Sequence, residues 1–204
     1  PTGKTCLAHG MTGISPAYWT FPEVARNYLT EDDMRAVLRG DMPWTDPKMK
    51  GILWGTVGAT QRLQQELHQR IRQRQRVLLG YQEWESQVAQ RNLGEVATTV
   101  DQIEAMYELY HKQIDDLRIA GTPSVSTEEK NRLAAWRSVI ARTASQVGFR
   151  TLELLGGAAT YKGDLVEVFA RDLFMISIHV TQIYEDHMMY YGRTQYGLSG
   201  HPLG

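Results

Sequence analysis

The sequence predicts an all-α protein, an up-down four-helix bundle with an irregular N-terminal arm. From Lys48 onward, apolar residues recur at spacings of three and four, which is the period of a helix with one buried face. Four such stretches are separated by short breaks, and this order is typical of antiparallel helical bundles. No segment is rich in strand-forming residues, and no internal repeat is present.

Two regions are predicted along the chain, an arm or linker over residues 1–47 and a bundle domain over residues 48–204. The arm is interrupted by four prolines, Pro16, Pro22, Pro43 and Pro47. It contains one short helical candidate over residues 30–39, where Thr30 has the character of an N-cap. The change of pattern after Pro47 marks the start of the bundle.

The four long helices are predicted at residues 48–80, 95–118, 126–155 and 164–191. Each carries an apolar seam, and the residues of the four seams are Leu53, Val57, Thr60, Leu67, Ile71 and Leu78; Val100, Ile103, Tyr107, Tyr110, Ile114 and Leu117; Leu133, Trp136, Ile140, Val147 and Leu155; and Val166, Phe169, Leu173, Ile176, Val180 and Ile183. Ser126 and Glu129 form a predicted capping box at the start of the third helix. Gly156 and Gly157 are predicted to end it.

Composition limits the classes of function. The chain has 204 residues, 42% of them hydrophobic, which is enough for one sizeable core. A net charge of -1 argues against nucleic-acid binding, and no apolar stretch is long enough to span a bilayer. The single cysteine, Cys6, excludes an intramolecular disulfide, and the first residues lack a signal-peptide pattern. We therefore expect a soluble, cytoplasmic protein.

A polar stripe follows the fourth predicted helix beside its apolar seam and comprises Asp172, Met175, His179, Gln182 and Asp186. Histidine can exchange a proton near neutral pH, and a carboxylate one or two turns away can hold its tautomer. We therefore take His179, Asp172 and Asp186 as candidate catalytic residues. The alternative interpretation is an exposed polar flank without chemistry.

One motif of the second helix resembles a metal site. Glu108 and His111 have the Glu-x-x-His spacing of di-iron bundles, which need a second such motif on another helix. The sequence Glu185-Asp186-His187 has the wrong spacing to provide it. We therefore predict no metal site and interpret this face of the helix as solvated.

Positive charge is concentrated toward the end of the first predicted helix, at His68, Arg70, Arg72, Arg74 and Arg76. Such a cluster can bind a phosphate or pyrophosphate through charge-assisted hydrogen bonds. It is equally consistent with a solvated helix face.

The last part of the chain resembles a known fold. Over residues 147–202, Leu155-Gly156-Gly157 ends one helix, Arg171-Asp172 lies on the next, and His179 follows. This order resembles the C-terminal helical domain of the acyl-CoA dehydrogenase fold, and is most similar to its flavin-dependent monooxygenase branch, the aromatic hydroxylases. The similarity extends back to Lys48 through the lengths and order of the helices.

The resemblance implies a flavin cofactor, FAD or FMN, shared across a subunit interface. Gly156 and Gly157 would let the backbone approach the cofactor, and Arg72 or Arg76 would bind its pyrophosphate. His179 would be the active-site histidine that acts on a phenolic substrate or supports the reaction of the reduced flavin with oxygen. Without the resemblance, the two glycines are equally consistent with an ordinary helix C-cap.

The sequence also departs from that family. The family builds its flavin pocket from an N-terminal helical domain, a middle β-domain and this bundle, and the sequence contains only the bundle. No motif assigns the catalytic glutamate of the dehydrogenase branch to Glu167 or Glu185, which disfavours oxidation of fatty acyl-CoA.

The sequence is therefore compatible with three functions. The first is the C-terminal part or subunit of a flavin-dependent monooxygenase or oxidoreductase acting on a small aromatic or biosynthetic substrate, with a partner chain or further domains completing the flavin site. The second is a flavin-free isomerase or cyclase that uses His179. The third is a non-catalytic dimerisation module. In each case a homo-oligomer or hetero-oligomer is expected, because a lone bundle leaves apolar seams to cover.

Overall fold

A computed structural model describes residues 51–77, 80–120, 125–179 and 181–201. The predicted arm, its helix over residues 30–39 and the seam residues Leu78 and Val180 lie outside the described residues. The described ranges nevertheless contain the greater part of every helix predicted for the bundle.

Five α-helices make up most of the described structure. They are α1 (Gly51–Gln73), α2 (Gln87–Ile119), α3 (Thr127–Leu155), α4 (Leu165–Ser177) and α5 (Tyr184–Gln195). Two short strands, β1 (Gln75–Arg76) and β2 (Tyr81–Gln82), pair antiparallel between α1 and α2. Single turns of 3-10 helix occupy Glu83–Glu85 and Gly157–Thr160. The predicted all-α class is therefore confirmed.

Helix α3 is the centre of the bundle and packs against α1, α2, α4 and α5. The predicted seams form the core: among the described seam residues, only Tyr107, Trp136 and Ile183 are more than marginally exposed. Burial of these apolar faces is the main force holding the helices together. Within the described ranges, no helix is both long and apolar enough to cross a membrane.

Both predicted ends of α3 are confirmed by their geometry. The Ser126 hydroxyl accepts a hydrogen bond from the Glu129 amide at 3.2 Å, and the Glu129 carboxylate accepts one from the Ser126 amide at 3.4 Å. At the other end, Gly156 adopts φ 73°, a conformation that glycine reaches without a Cβ penalty. These caps satisfy backbone groups that the helix itself leaves unpaired.

The first predicted helix is too long, because the helix ends at Gln73 rather than near residue 80. The chain then turns back in the β1–β2 hairpin, which we did not predict. Gly80, at φ 74°, allows this turn, and its amide donates to the carbonyl of Arg76 at 2.9 Å. The hairpin is held by the buried carboxylate of Glu83, which pairs with Arg74 at 3.1 Å and Arg76 at 2.6 Å.

The second helix begins at Gln87, earlier than the predicted residue 95. Its apolar face already starts at Ala89, which is buried with Val96 and Val100. The exposed Gly94 interrupts the sequence pattern without interrupting the helix.

The predicted fourth helix over residues 164–191 is wrong as a single element. Asp164 does begin it, since its carboxylate accepts a hydrogen bond from the Val166 amide at 2.9 Å. The helix ends at Ser177, however, and α5 starts only at Tyr184. β-Branched residues such as Ile178, Thr181 and Ile183 weaken helix formation there, and contacts of Thr181 described below stabilise the break.

Helices α3 and α4 approach most closely at Gly148. A Cβ at this position would lie 2.9 Å from the Cα of Ala170, a contact with backbone that side-chain motion does not relieve. We expect Gly148→Ala to lower the free energy of unfolding by about 1 to 3 kcal/mol through overpacking. Urea unfolding of the full chain measures this change.

Gly94 provides the matched control, because it is also a helical glycine but has open space around its Cα. Gly94→Ala is expected to raise the free energy of unfolding by about 1 kcal/mol, through helix propensity alone. If both substitutions stabilise the protein, the close approach of α3 and α4 is contradicted.

Candidate functional site

The break between α4 and α5 brings together polar side chains from different parts of the sequence. The Thr181 carbonyl accepts a hydrogen bond from the Arg137 guanidinium of α3 at 2.9 Å. The same carbonyl lies 3.0 Å from Nε2 of His187 on α5. On its other side, Thr181 contacts Nδ1 of His179. Thr181 thus links two histidines and one arginine.

The contacts of His179 select its tautomer. The Thr181 amide donates to Nδ1 at 3.3 Å, and the Thr181 hydroxyl lies 2.9 Å from the same nitrogen. Because Nδ1 accepts the amide hydrogen, the proton of the neutral ring resides on Nε2. His179 is partly exposed, and among the described residues Nε2 has no protein partner. Its N–H is therefore placed to donate to a bound molecule.

Arg137 is the unexpected member of the cluster. It is only 6% exposed, although guanidinium groups are rarely buried without a carboxylate. Its neutral acceptors are the Thr181 carbonyl and the hydroxyl of the fully buried Tyr110. No carboxylate within the described part of the chain forms an ion pair with it.

Electrostatics keep both histidines neutral. Burial lowers the pKa of the His179 imidazole, and the positive charge of Arg137 lowers it further. Burial is also the main cause of a lowered pKa at His187, again with a contribution from Arg137. At neutral pH, His179 is therefore a hydrogen-bond donor without charge.

The lowered pKa of His187 gives a pH dependence of stability. An unfolded histidine has a pKa of about 6.5, so the unfolded chain binds more protons than the folded chain just below that pH. The stabilisation is complete above about pH 6.5 and is lost as the pH falls toward the folded pKa, by up to about 1.4 kcal/mol per pH unit. Urea unfolding between pH 7.5 and 5 measures this loss.

His187→Asn should make that pH dependence shallower, because the variant lacks the buried titrating group. His68→Asn is the matched control, since His68 is exposed on α1. Equal slopes for wild type and His187→Asn would contradict the assignment.

The predicted carboxylates do not hold the His179 ring as expected. The hydrogen bonds to its imidazole come from Thr181. Asp172 is completely buried on α4, and its carboxylate lies 3.6 Å from Arg171. Asp186 is exposed in the first turn of α5. The stripe from Asp172 to Asp186 is therefore split by the break, and its members do not share one helix face.

The diglycine lies in a different environment, at the C-terminal end of α3. Gly156 and Gly157 are exposed, and a Cβ on either would meet no atom of the described residues within 4 Å. The Gly156 amide is already used, because it donates to the Leu152 carbonyl at 2.8 Å. The backbone here is thus open to close approach from outside the chain.

Two arginines of the predicted cluster have structural partners beside the diglycine. The Arg74 guanidinium donates to the carbonyl of Leu155 at 2.6 Å and caps the end of α3. Arg70 pairs with Asp164 at 2.8 Å, which fixes the start of α4. The sequence did not distinguish these two residues from their neighbours.

The two arginines that we proposed for the cofactor lie apart from each other. Arg76 belongs to the hairpin at the diglycine end, where it pairs with Glu83. Arg72 is about 200° around the axis of α1 from Arg70. It lines a separate groove of about 370 Å³ with His68 and Trp84, and forms no ion pair with any described residue. The structure does not bring Arg72 together with the diglycine.

His179 and the diglycine are also well separated. Gly157 precedes α4 and His179 follows it, and α4 has 13 residues. A helix of that length spans roughly 20 Å. The two predicted parts of the site therefore lie at opposite ends of α4.

The sequence pattern did not predict three members of the site, Arg137, Thr181 and His187. The signal for Arg137 was present, because Leu133, Arg137, Ile140 and Ala144 follow the three-and-four spacing of the buried face of α3. An arginine in such a seam predicts a buried polar contact. Thr181 and His187 carried no comparable signal, since their contacts depend on the break.

Within the described ranges, no group of three or more His, Cys, Asp or Glu side chains is placed to hold a metal ion. The side chains that converge at the break are instead a guanidinium, two neutral imidazoles, an amide and hydroxyl groups. This composition suits hydrogen bonding to a ligand oxygen.

The fold and the site define the class of protein: a helical bundle with a histidine at a helix break and an open diglycine at the other end of the same helix. The family described as "Acyl-CoA dehydrogenase, C-terminal domain" matches residues 52–183. This match covers more than half of the sequence, and the chain belongs to that family.

Three solved structures have a similar fold, and two of them are named as a monooxygenase and a hydroxylase. The HsaA monooxygenase from M. tuberculosis has a TM-score of 0.66 at 16% identity, covering 86% of this chain and 47% of that protein. XiaF from Streptomyces sp., in complex with FADH2 and glycerol, has a TM-score of 0.68 at 14% identity, covering 84% and 46%. The 3-HSA hydroxylase from Rhodococcus sp. RHA1 has a TM-score of 0.57 at 19% identity, covering 80% and 42%.

At these identities the similarity describes the fold. The sequence spans less than half of each of these proteins. None of the curated proteins matches it significantly.

Proposed function

We propose that this chain is the C-terminal part or subunit of a flavin-dependent monooxygenase that acts on a small aromatic substrate. The observation that carries the proposal is the neutral His179, whose Nε2–H is available to a ligand while Nδ1 is held by Thr181. Membership of the acyl-CoA dehydrogenase C-terminal domain family and similarity to monooxygenase folds support it.

His179 is proposed as the active-site acid–base residue. Its Nε2–H would donate to a substrate oxygen and stabilise negative charge that develops on that oxygen. To accept a proton, the neutral imidazole would have to become positively charged inside a partly buried site. Burial and the positive charge of Arg137 both oppose this protonation. This favours a donor role for His179 over the role of a strong base. Asp172 and Asp186 are proposed to act on the local field rather than as direct partners of the ring.

The diglycine end fits a dinucleotide cofactor. Gly156 and Gly157 have no side chains, and a Cβ on either would lie more than 4 Å from any described atom. A flat or extended ligand can therefore lie directly against the backbone there. Arg76 lies at this end. Its guanidinium would bind a pyrophosphate in addition to its ion pair with Glu83. Arg72, which is exposed and forms no ion pair with a described residue, would bind a phosphate from its own groove. A bound reduced flavin would supply the electrons for oxygen activation.

The separation between His179 and the diglycine favours an oligomer. A distance of roughly 20 Å suits contacts to two different cofactors, or to the two ends of one FAD, better than contacts to one flavin ring. We therefore propose FAD rather than FMN, with each site completed across a subunit interface. The remaining domains would come from a partner chain or from further segments of a longer protein.

The test is flavin binding by the full chain, first alone and then mixed with a second polypeptide. This polypeptide carries the N-terminal helical domain and the middle β-domain of the acyl-CoA dehydrogenase fold. Flavin fluorescence and absorbance measure binding. The rate at which oxygen reoxidises chemically reduced flavin, without NADH, measures the reaction with oxygen. Binding in the mixture supports the proposal. If no flavin is bound in either form, the proposal is contradicted.

One observation favours the dimerisation module as a second candidate. On α4 and just after it, Phe174, Met175 and Ile178 are between 40% and 51% exposed, and Phe149 of α3 contacts Phe174 edge-on at 5.6 Å. Exposed apolar side chains of this kind are typical of interfaces. For a purely structural module, substitution of His179 would leave every measured function intact.

A further inference from the structure

Arg137 is the only residue among those at the break whose charge requires a partner that the described chain does not provide. Its side chain is nine-tenths buried, its Nε has no hydrogen-bond partner there, and its neutral acceptors are two oxygens. A buried cation is costly unless an anion or several hydrogen bonds compensate it. The Thr181 carbonyl and the Tyr110 hydroxyl supply only part of that compensation.

The neighbouring polar atoms are also incompletely paired. Gln182 is 1% exposed, yet neither its amide nitrogen nor its amide oxygen has a hydrogen-bond partner among the described residues. Nδ1 of His187 is buried and likewise unpaired there. Gln182 directly follows Thr181, whose carbonyl binds both Arg137 and His187. Unpaired buried polar groups are rare in native proteins, and two of these atoms, Nε of Arg137 and the amide nitrogen of Gln182, are donors that a bound anion would satisfy.

We propose that Arg137 and Gln182 form an anion subsite, which binds the carboxylate or phenolate oxygen of a small organic acid beside the imidazole of His179. A planar oxygen anion accepts charge-assisted hydrogen bonds from a guanidinium, and the Gln182 amide adds a second donor. The substrate of the proposed function would therefore be acidic. This inference rests on the proposed function only for the statement that the anion is the substrate.

The other charged and titratable groups around the break agree with this sign. Tyr110 faces Arg137 from α2 as a neutral phenol, because burial raises its pKa. His187 on α5 and His201 in the C-terminal segment pack together, with ring centroids 5.8 Å apart. Asp186 is the nearby carboxylate of α5, but it is exposed. Arg137 supplies a buried positive charge next to Thr181, which attracts an anion.

The experiment is an NMR titration of the histidine ring protons of the full chain without flavin. Sodium benzoate is the probe, and the uncharged benzamide of similar shape is its control. Bound benzoate neutralises Arg137, so the pKa values of His179 and His187 should rise by about one pH unit. Benzoate should bind roughly tenfold more tightly than benzamide, because only benzoate forms charged hydrogen bonds.

Two arginine variants locate the subsite. In Arg137→Gln the benzoate response should be lost, whereas in Arg142→Gln it should persist. Arg142 is the matched control because it also lies on α3. It is exposed, however, and pairs at the surface with Glu185 of α5 at 2.7 Å. Gln182→Leu retains the arginine and should weaken benzoate binding several-fold, which tests the subsite even if Arg137→Gln does not fold.

Unchanged histidine pKa values in the wild-type chain at saturating benzoate would overturn the inference, as would an equal response to benzamide. A full benzoate response in folded Arg137→Gln would overturn it too. Because the titration needs no flavin, its outcome is independent of flavin binding. Flavin binding without a benzoate response would leave the proposed function in place and remove only the anion subsite.

Discussion

Replacing His179 by alanine is expected to lower the turnover of the flavin-reconstituted protein by about 10²-fold to 10⁴-fold, the usual contribution of a positioned acid–base group. The physical reason is the loss of the Nε2–H, which the contacts of Thr181 with Nδ1 hold ready for a ligand. Flavin affinity should change little, because the diglycine lies at the other end of α4. Steady-state oxidation of an aromatic substrate, with flavin binding measured separately, checks both parts.

Two further variants make this prediction specific. Lys112→Ala removes an exposed charged side chain of α2 and should leave turnover unchanged. Thr181→Val removes the hydroxyl 2.9 Å from Nδ1 but keeps the backbone amide, so it should lower turnover by about tenfold. If His179→Ala retains wild-type turnover, His179 has no chemical role and the dimerisation module becomes the better interpretation.

The parts of the fold that the sequence predicted depend on local rules. The capping box at Ser126, the left-handed Gly156 and the buried seams each follow from residues within one or two turns of one another. The all-α class was predictable for the same reason. The hairpin after α1 was missed because its strands have two residues each, too few to show a strand pattern.

The candidate site was only partly predictable because it depends on contacts between distant residues. The break that splits the fourth predicted helix is stabilised by Arg137, which lies 44 positions from Thr181 in the sequence. Periodicity continues across the break and therefore assigned Asp172, His179 and Asp186 to one face. His179 lies in the cluster, but the residue that contacts its ring is a threonine and not the expected carboxylate.

A partner chain or domain would contribute differently at the two ends of α4. At the break, the exposed Met175 and Ile178 lie next to His179, so a covering domain would exclude water from the imidazole. At the diglycine, the open backbone would admit a cofactor held by another chain. On this proposal, a chain that covers less than half of each of these structural neighbours contributes to two sites at once.

The diglycine end provides the second large effect, because it can be blocked without disturbing the bundle. Gly157→Val introduces a branched side chain where a Cβ has open space and where φ is not in the left-handed region. The free energy of unfolding should therefore change by less than about 0.5 kcal/mol, as for other surface substitutions. The same side chain would occupy the volume proposed for the cofactor, so flavin affinity should fall by about tenfold or more, which corresponds to about 1.4 kcal/mol.

Gly94→Val is the control for this experiment, since Gly94 also has open space but lies on the exposed face of α2. Flavin titration of the reconstituted protein should give the same affinity for Gly94→Val as for wild type. A Gly157→Val variant with wild-type flavin affinity would mean that the cofactor does not approach the diglycine. In that case Gly156 and Gly157 would serve only to end α3, with Arg74 capping its last carbonyls.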